Sequence, residues 1–333
     1  MATIREVAKR AGVSIGTVSR YLNGVKVRQD NAEAIARAVT DLDFQPSFFG
    51  RALTKQRGFS IGVLVENAGN VFVSSSIGGL ESGFEHEGYS SYFVDFQGDL
   101  NLLRKKVEFL QERMVDGFVV FLFEADVQKL GYLKDLDIPI VFVNSPLEDV
   151  GADSIVVDNA RSTSKVVGAM LDAGHERVGL IAFSPDSYAG AARAKGWREA
   201  YVSRGLAVRD AYARACAPTK QGGYEAARSL LDAGEVTALF ASNYYTALGA
   251  LKAMNERGLR PGIDIGFASF DDYDASDIIY PPLTVVRQPE EAISREIVTC
   301  MCERIGRGTA PQGIHMLPCE VHLTDSIRGG LKR

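Results

Sequence analysis

"TIREVAKRAGVSIGTVSRYLNG" fills residues 3–24. Thr3-Ile4-Arg5-Glu6 has the Thr-x-x-Glu form of a capping box, which marks a helix start because both side chains can satisfy orphan amide donors. Ile4, Val7, Ala8 and Ala11 then recur at helical spacing. Gly12 tolerates the positive φ that stops a helix. Ser14 is a good N-cap for a second helix, Ile15 to about Leu22, with Val18 and Leu22 four apart on its inward face. Asn23-Gly24 ends it. A third helix is expected from about Gln29 to Leu42, with Ala32, Ile35, Ala36, Val39 and Leu42 on one face. Two helices joined by a glycine turn, with a third closing the core, is the helix-turn-helix plan. Its second helix offers N-terminal residues to the major groove. That geometry sets Ile15, Gly16 and Arg20 against bases, and Arg20 can make a bidentate contact to guanine. Thr17, Ser19 and Tyr21 are candidate phosphate contacts.

The charge distribution agrees. The chain of 333 residues carries −5 overall. Residues 1–58 hold ten Lys/Arg and five Asp/Glu, a net of +5, which leaves −10 on the remainder. A basic module on an acidic body suits a polyanion partner at one end only. The length predicts two or three domains. An apolar content of 46% with 24% charged residues belongs to a folded soluble protein. The longest apolar runs, such as Ile138 to Val143, are too short to span a membrane. The first twenty residues lack an apolar h-region, so no signal peptide and a cytoplasmic location are expected. Cys216, Cys300, Cys302 and Cys319 contain no CxxC, so free thiols rather than a zinc framework are expected. His86, His175, His315 and His322 show no metal spacing on a helix face, and no cofactor is implied. Asp271-Asp272 could suggest glycoside chemistry, but that needs opposed carboxylates. Adjacent residues at a strand end point apart, so no enzyme is expected.

From Phe59 onward short apolar runs alternate with amphipathic ones. Candidate strands are Ile61–Val65, Ser91–Asp95, Gly117–Phe123, Pro139–Val143, Val178–Phe183, Ala238–Ser242 and Ile265–Ser269. Helical stretches include Leu100–Arg113, Ala160–Ala173, Ala191–Arg204, Tyr224–Ala233 and Tyr245–Arg257. The alternation predicts parallel sheets covered by helices. Ligands in such folds bind beyond the carboxyl ends of strands. "IGVLVENAGN" (61–70) has no GxGxxG, so a dinucleotide site is not supported.

The N-terminal stretch resembles the signature of the lactose-repressor (LacI/GalR) family of bacterial transcription regulators. The family pattern T-I-x-x-V-A-x-x-A-G-V-S-x-x-T-V-S-R-x-L-N is matched at every fixed position. The third helix departs from it: Arg28, Asn31 and Ala32 stand where Ser, Thr and Arg are usual. The resemblance adds Thr3, Ser14, Asn23, Arg28 and Asn31 to the candidate DNA contacts. The resemblance implies a headpiece over 1–45 and a hinge over 46–58. It also implies a two-lobed core similar to periplasmic sugar-binding proteins over 59–330, crossed three times by the chain. Lobe 1 would take about 59–157 and 289–318, lobe 2 about 158–288 and 319–330. In "SFFGRALTKQRG" (47–58) the hinge helix would order on operator DNA, with Leu53 wedging between base pairs in the minor groove. Ser47 and Gly50 stand where the family has Asn and Ala.

"GHERVGLIA", "RAKGWREAY", "ALFASNYYTALGAL", "IGFASFDD" and "YPPLTVVRQP" extend the resemblance through the core. It carries over Arg193, Asp271, Asn144, Asn243 and Gln288 as cleft positions, with Glu66, Asn67 and Phe72 as another wall. Phe72 or Trp197 could stack on a ligand, although a lone helical tryptophan also suits a core. Tyr244 replaces a usual Asp, so Tyr244 and Tyr245 could line the pocket. The implied protein is a homodimer on a palindromic operator, with a small polyhydroxy effector. A nucleobase, nucleoside or sugar acid is the alternative effector. A solute-binding protein and a sugar-modifying enzyme are the rival functions. The dimer face would use the helix near Ile77 to Phe84 and the loop Tyr273 to Tyr280.

Overall fold

The computed structural model describes residues 2–22, 24–44, 57–123, 127–147, 150–272, 276–307 and 313–330. The chain folds as two compact units, Met1–Phe59 and Ser60–Arg333. No helix among the described residues is long and apolar enough to cross a membrane.

The first unit holds α1 (Ile4–Ala11), α2 (Ile15–Leu22) and α3 (Gln29–Asp41). The capping box is formed: the Thr3 amide donates to Glu6 Oε2 at 2.7 Å and the Glu6 amide to Thr3 Oγ1 at 3.4 Å. Gly12 closes α1 at φ +66°, where its amide reaches the last carbonyls. Ser14 Oγ accepts the Thr17 amide at 3.1 Å. Val7, Val18, Ile35 and Ala38 make the core between the three helices. One expected inward position is corrected: Ala36 is exposed and Ala38 buried. From Ile35 the buried stripe runs to i+3, i+4 and i+7, which are Ala38, Val39 and Leu42. Arg28 precedes α3 without capping it through its side chain.

The second unit holds β1 (Ser60–Val65), α4 (Val71–His86), β2 (Ser90–Asp95), α5 (Leu100–Gln111), β3 (Gly117–Phe121), β4 (Ile140–Val143) and β5 (Asp153–Val157). There follow α6 (Asn159–Asp172), β6 (Val178–Phe183), α7 (Tyr188–Val202), β7 (Ala213–Cys216), α8 (Lys220–Ala233), β8 (Ala238–Ala241), α9 (Tyr244–Asn255), β9 (Gly266–Phe270) and β10 (Thr284–Arg287). The last elements are α10 (Glu290–Arg307), β11 (Ile314–Leu317) and β12 (Glu320–His322). One sheet has the order β11-β5-β4-β3-β1-β2, the other β12-β10-β9-β8-β6-β7. All pairs are parallel except β10 with β12. The central strands are buried on both faces, as continuous apolar runs require.

The chain crosses between the sheets after β5, after β10 and after β11. The architecture is thus a helical headpiece plus a two-lobed α/β core with three crossovers. Each lobe winds in the same sense, with the second strand outside the first and the third on the first strand's other side. The order therefore reverses between β1 and β3 in one lobe and between β6 and β8 in the other, and ligands gather at the carboxyl ends of strands at such reversals.

Candidate functional site

A chamber of about 180 Å³ lies between the lobes at those strand ends. Its lobe 1 wall starts where β1 and β3 end. The Glu66 carboxylate accepts the Phe123 amide at 2.6 Å, tying the two strand ends together. Asn67 Oδ1 holds the Gly69 amide at 2.8 Å, and Asn70 caps α4 by accepting the Phe72 amide at 3.0 Å. Phe72 packs edge-on against Phe121 and Phe123, at 6.1 and 6.5 Å between ring centroids.

The two lobes use one device twice. Asn144 follows β4 and Asp271 follows β9, and these strands hold the same place in their sheets. Both residues have left-handed backbone, at φ +70° and +71°. Asn and Asp tolerate this conformation because a short polar side chain can bond locally. Both line the chamber.

Arg193, on α7, supplies the charge of the lobe 2 wall and is 3% exposed. Its Nε donates to Asn159 Oδ1 at 2.8 Å and its Nη1 to the Ser242 carbonyl at 2.7 Å. The guanidinium lies 3.4 Å from the centroid of the Phe270 ring, and the Asp271 carboxylate is 3.8 Å from Nη1. Burial lowers the pKa of Arg193 while Asp271 opposes that shift. No described residue takes Nη2. Asp271 accepts the Tyr244 amide at 3.1 Å and the Gln288 Nε2 amide at 2.6 Å. The other end of that amide, Gln288 Oε1, is buried with no hydrogen-bond partner among the described residues. Asn243 caps α9 through a capping box with Thr246 and lines the chamber. The charged residues on the wall are Glu66, Arg193 and Asp271, a net of −1. Glu290 borders an adjoining recess of about 60 Å³. Burial raises its pKa, with Asp271 and Asp272 adding to the effect.

A guanidinium donor and an amide carbonyl, both without a partner among the described residues, thus meet a carboxylate over aromatic rings in a small concave space. Such a set binds a molecule that both donates and accepts, by hydrogen bonds rather than by bond making.

Residues 3–47 match the family described as bacterial regulatory proteins, lacI family, and residues 167–327 match the periplasmic binding protein-like domain. The HTH-type transcriptional repressor PurR of Haemophilus influenzae (strain PittEE) is 31% identical over 92% of this chain and 91% of its own. The chain belongs to the lacI family of bacterial regulatory proteins. As such it is a transcriptional repressor with a ligand-binding core. The structure of the transcriptional regulator CelR–cellobiose complex is 26% identical and covers 98% of this chain and 100% of its own, at a TM-score of 0.73. The lac repressor dimer bound to operator and the anti-inducer ONPF shares the fold, at a TM-score of 0.85 and 23% identity over 98% and 99% of the two chains.

Of the cleft positions expected from the sequence, the structure brings Glu66, Asn67, Phe72, Asn144, Arg193, Asn243, Asp271 and Gln288 around one chamber. Trp197 is not among them. It is fully buried, its Nε1 donates to the Val178 carbonyl at 3.0 Å, and its ring packs on Tyr201. Four positions after Arg193 on α7, it lies one turn further along the helix, over β6. Tyr244 borders the recess, whereas Tyr245 borders both recess and chamber. Sequence reasoning missed Asn159, Phe123 and Phe183. An aromatic at the carboxyl end of an apolar run was the available signal for the last two.

In the headpiece Ile15, Gly16 and Arg20 are exposed on α2, while Thr17, Ser19 and Tyr21 are half-buried. Thr3 and Ser14 are engaged as caps. Arg28 is exposed and Asn31 half-buried at the start of α3. Asn23, Ser47, Gly50 and Leu53 lie outside the described residues, as does part of the loop Tyr273 to Tyr280. On α4, Leu80 and Phe84 face the core, so an intermolecular face there would rest on Ile77, Gly78, Glu81 and Ser82.

Proposed function

We propose that the protein is a cytoplasmic, effector-responsive repressor. Two copies present their α2 helices to the half-sites of a palindromic operator, with Arg20 as the principal base contact. The effector is a small neutral polyhydroxy compound, a sugar or sugar derivative, held in the chamber between the lobes. One observation carries the effector class: among the described residues Arg193 Nη2 and Gln288 Oε1 find no partner beside the Asp271 carboxylate. A vicinal diol satisfies all three, since each hydroxyl both donates and accepts. The net negative wall disfavours a sugar acid or phosphate, and about 180 Å³ is below the range of drug-sized pockets. The cellobiose complex of CelR supports the sugar class.

The test is a thermal-shift panel of pentoses, hexoses, cellobiose and D-gluconate on the wild type and Asp271→Asn. A true effector at 100 times its Kd stabilises the core by about 2.7 kcal/mol. Asn keeps the left-handed backbone but replaces charge-assisted bonds with neutral ones, so affinity falls about tenfold. A panel in which only D-gluconate shifts the wild type, or in which Asp271→Asn binds as well as wild type, would sink this reading.

A further inference from the structure

Tyr245 is the second residue of α9, in lobe 2. Its hydroxyl donates to the carbonyl of Gly69, in the lobe 1 loop between β1 and α4, at 3.0 Å. This hydrogen bond joins the lobes directly, away from the three crossings. Both of its ends are fixed by local bonding. On the lobe 1 side, Asn67 Oδ1 holds the Gly69 amide, the Asn67 carbonyl takes the Asn70 amide at 3.0 Å, and Asp95 Oδ2 takes the Ala68 amide at 3.0 Å. The loop therefore presents the Gly69 carbonyl in one place. On the lobe 2 side, the Asn243–Thr246 capping box and the Tyr244 amide bond to Asp271 anchor the first turn of α9. The Tyr244 ring packs edge-on against Tyr245 at 5.1 Å and limits its swing. The Tyr245 ring also walls the chamber.

We infer that Tyr245 is a clasp across the mouth of the cleft, a positioning residue that holds the lobes together whatever the chamber contains. The inference rests on the cleft being the effector site, but the clasp itself needs no ligand. Protein groups alone make this bond, so it favours the closed arrangement by the same factor for every occupant. An exposed neutral hydrogen bond of this kind shifts the balance roughly 2- to 10-fold. Asp271, by contrast, touches the occupant, so its effect depends on the ligand's hydroxyls.

The experiment compares full-length wild type, Tyr245→Phe and the control Tyr92→Phe, an exposed tyrosine on the edge strand β2. Hydrogen exchange without ligand is followed in peptides covering 66–73 and 243–247. Tyr245→Phe removes one oxygen and keeps the ring, so folding is preserved. Exchange is expected to quicken roughly 2- to 10-fold on both sides of the cleft, including residues 66–73, which are far away in sequence. Affinities for D-ribose, D-glucose and cellobiose, for whichever bind the wild type, are expected to fall by one common factor. Exchange unchanged at 66–73, or affinities that fall for one sugar and not another, would overturn the clasp. Faster exchange at 66–73 with no sugar bound by wild type would uphold the clasp and reject the sugar reading instead.

Discussion

His175 is fully buried, with both ring nitrogens engaged: Nε2 lies 2.7 Å from the Ile327 carbonyl and Nδ1 3.0 Å from the Thr237 hydroxyl. A carbonyl only accepts, so Nε2 carries the proton and Nδ1 accepts from Thr237. Burial depresses the pKa below its ordinary 6.5. Below that value the unfolded chain binds the extra proton and the folded chain does not. The stabilisation is therefore complete above pH 6.5 and is lost progressively as pH falls from there through the folded-state value. Urea denaturation of the core from pH 7.5 to 5 should show stability falling below pH 6.5 in wild type and falling less in His175→Gln. Equal slopes would place the acid sensitivity elsewhere. At this scale the sequence was legible where a residue belongs to a local motif. Gly12, Ser14 and the Thr3–Glu6 pair act within four residues of themselves. Arg193 and Asp271 were reached through matched motifs. Tyr245 could not be paired with Gly69, because only the fold brings together residues so far apart. Trp197 was ambiguous because one helix carries both a cleft face and a core face.

Helices α8 and α9 approach each other at two glycines. A Cβ on Gly249 would fall 2.2 Å from the Lys220 carbonyl oxygen and 2.4 Å from the Tyr224 nitrogen, and one on Gly223 would fall 2.4 Å from Thr246 Cα. These neighbours are backbone, which no rotamer change can clear. Gly249→Ala should therefore destabilise the core by about 1–3 kcal/mol. It should also weaken effector binding, since α9 places Asn243 and Tyr245 at the chamber. Core stability within about 0.5 kcal/mol of wild type would show that the helices part freely. Among the elements, β1, β3, β4, β6, β8 and β9 were legible because central parallel strands are apolar on both faces, and the edge strand β2 was also expected, over Ser91–Asp95. The strands β7 ("ARAC"), β11 ("IHML") and β12 ("EVH") lie at sheet edges with one neighbour each, half exposed, and carry no such run. Their pairing comes from the sheet beside them rather than from local propensity. The interior strands β5 and β10 went unread too, being short runs beside those edges.

The molecule joins a basic headpiece of net +5 over residues 1–58 to an acidic core. That asymmetry directs a polyanion to one unit and leaves the other to a small ligand. A ligand can alter DNA affinity only by its differential affinity for the two core arrangements, commonly about 1–3 kcal/mol. The most direct measurement is operator binding by the full chain, followed by fluorescence anisotropy on a palindromic promoter fragment. It is made at salt between about 50 and 200 mM, with and without a sugar that stabilises the core. Binding is expected to weaken steeply with salt and to change by about 5- to 150-fold with the sugar. Binding indifferent to salt, or untouched by every ligand that stabilises the core, would show that the core does not control an electrostatic grip on DNA.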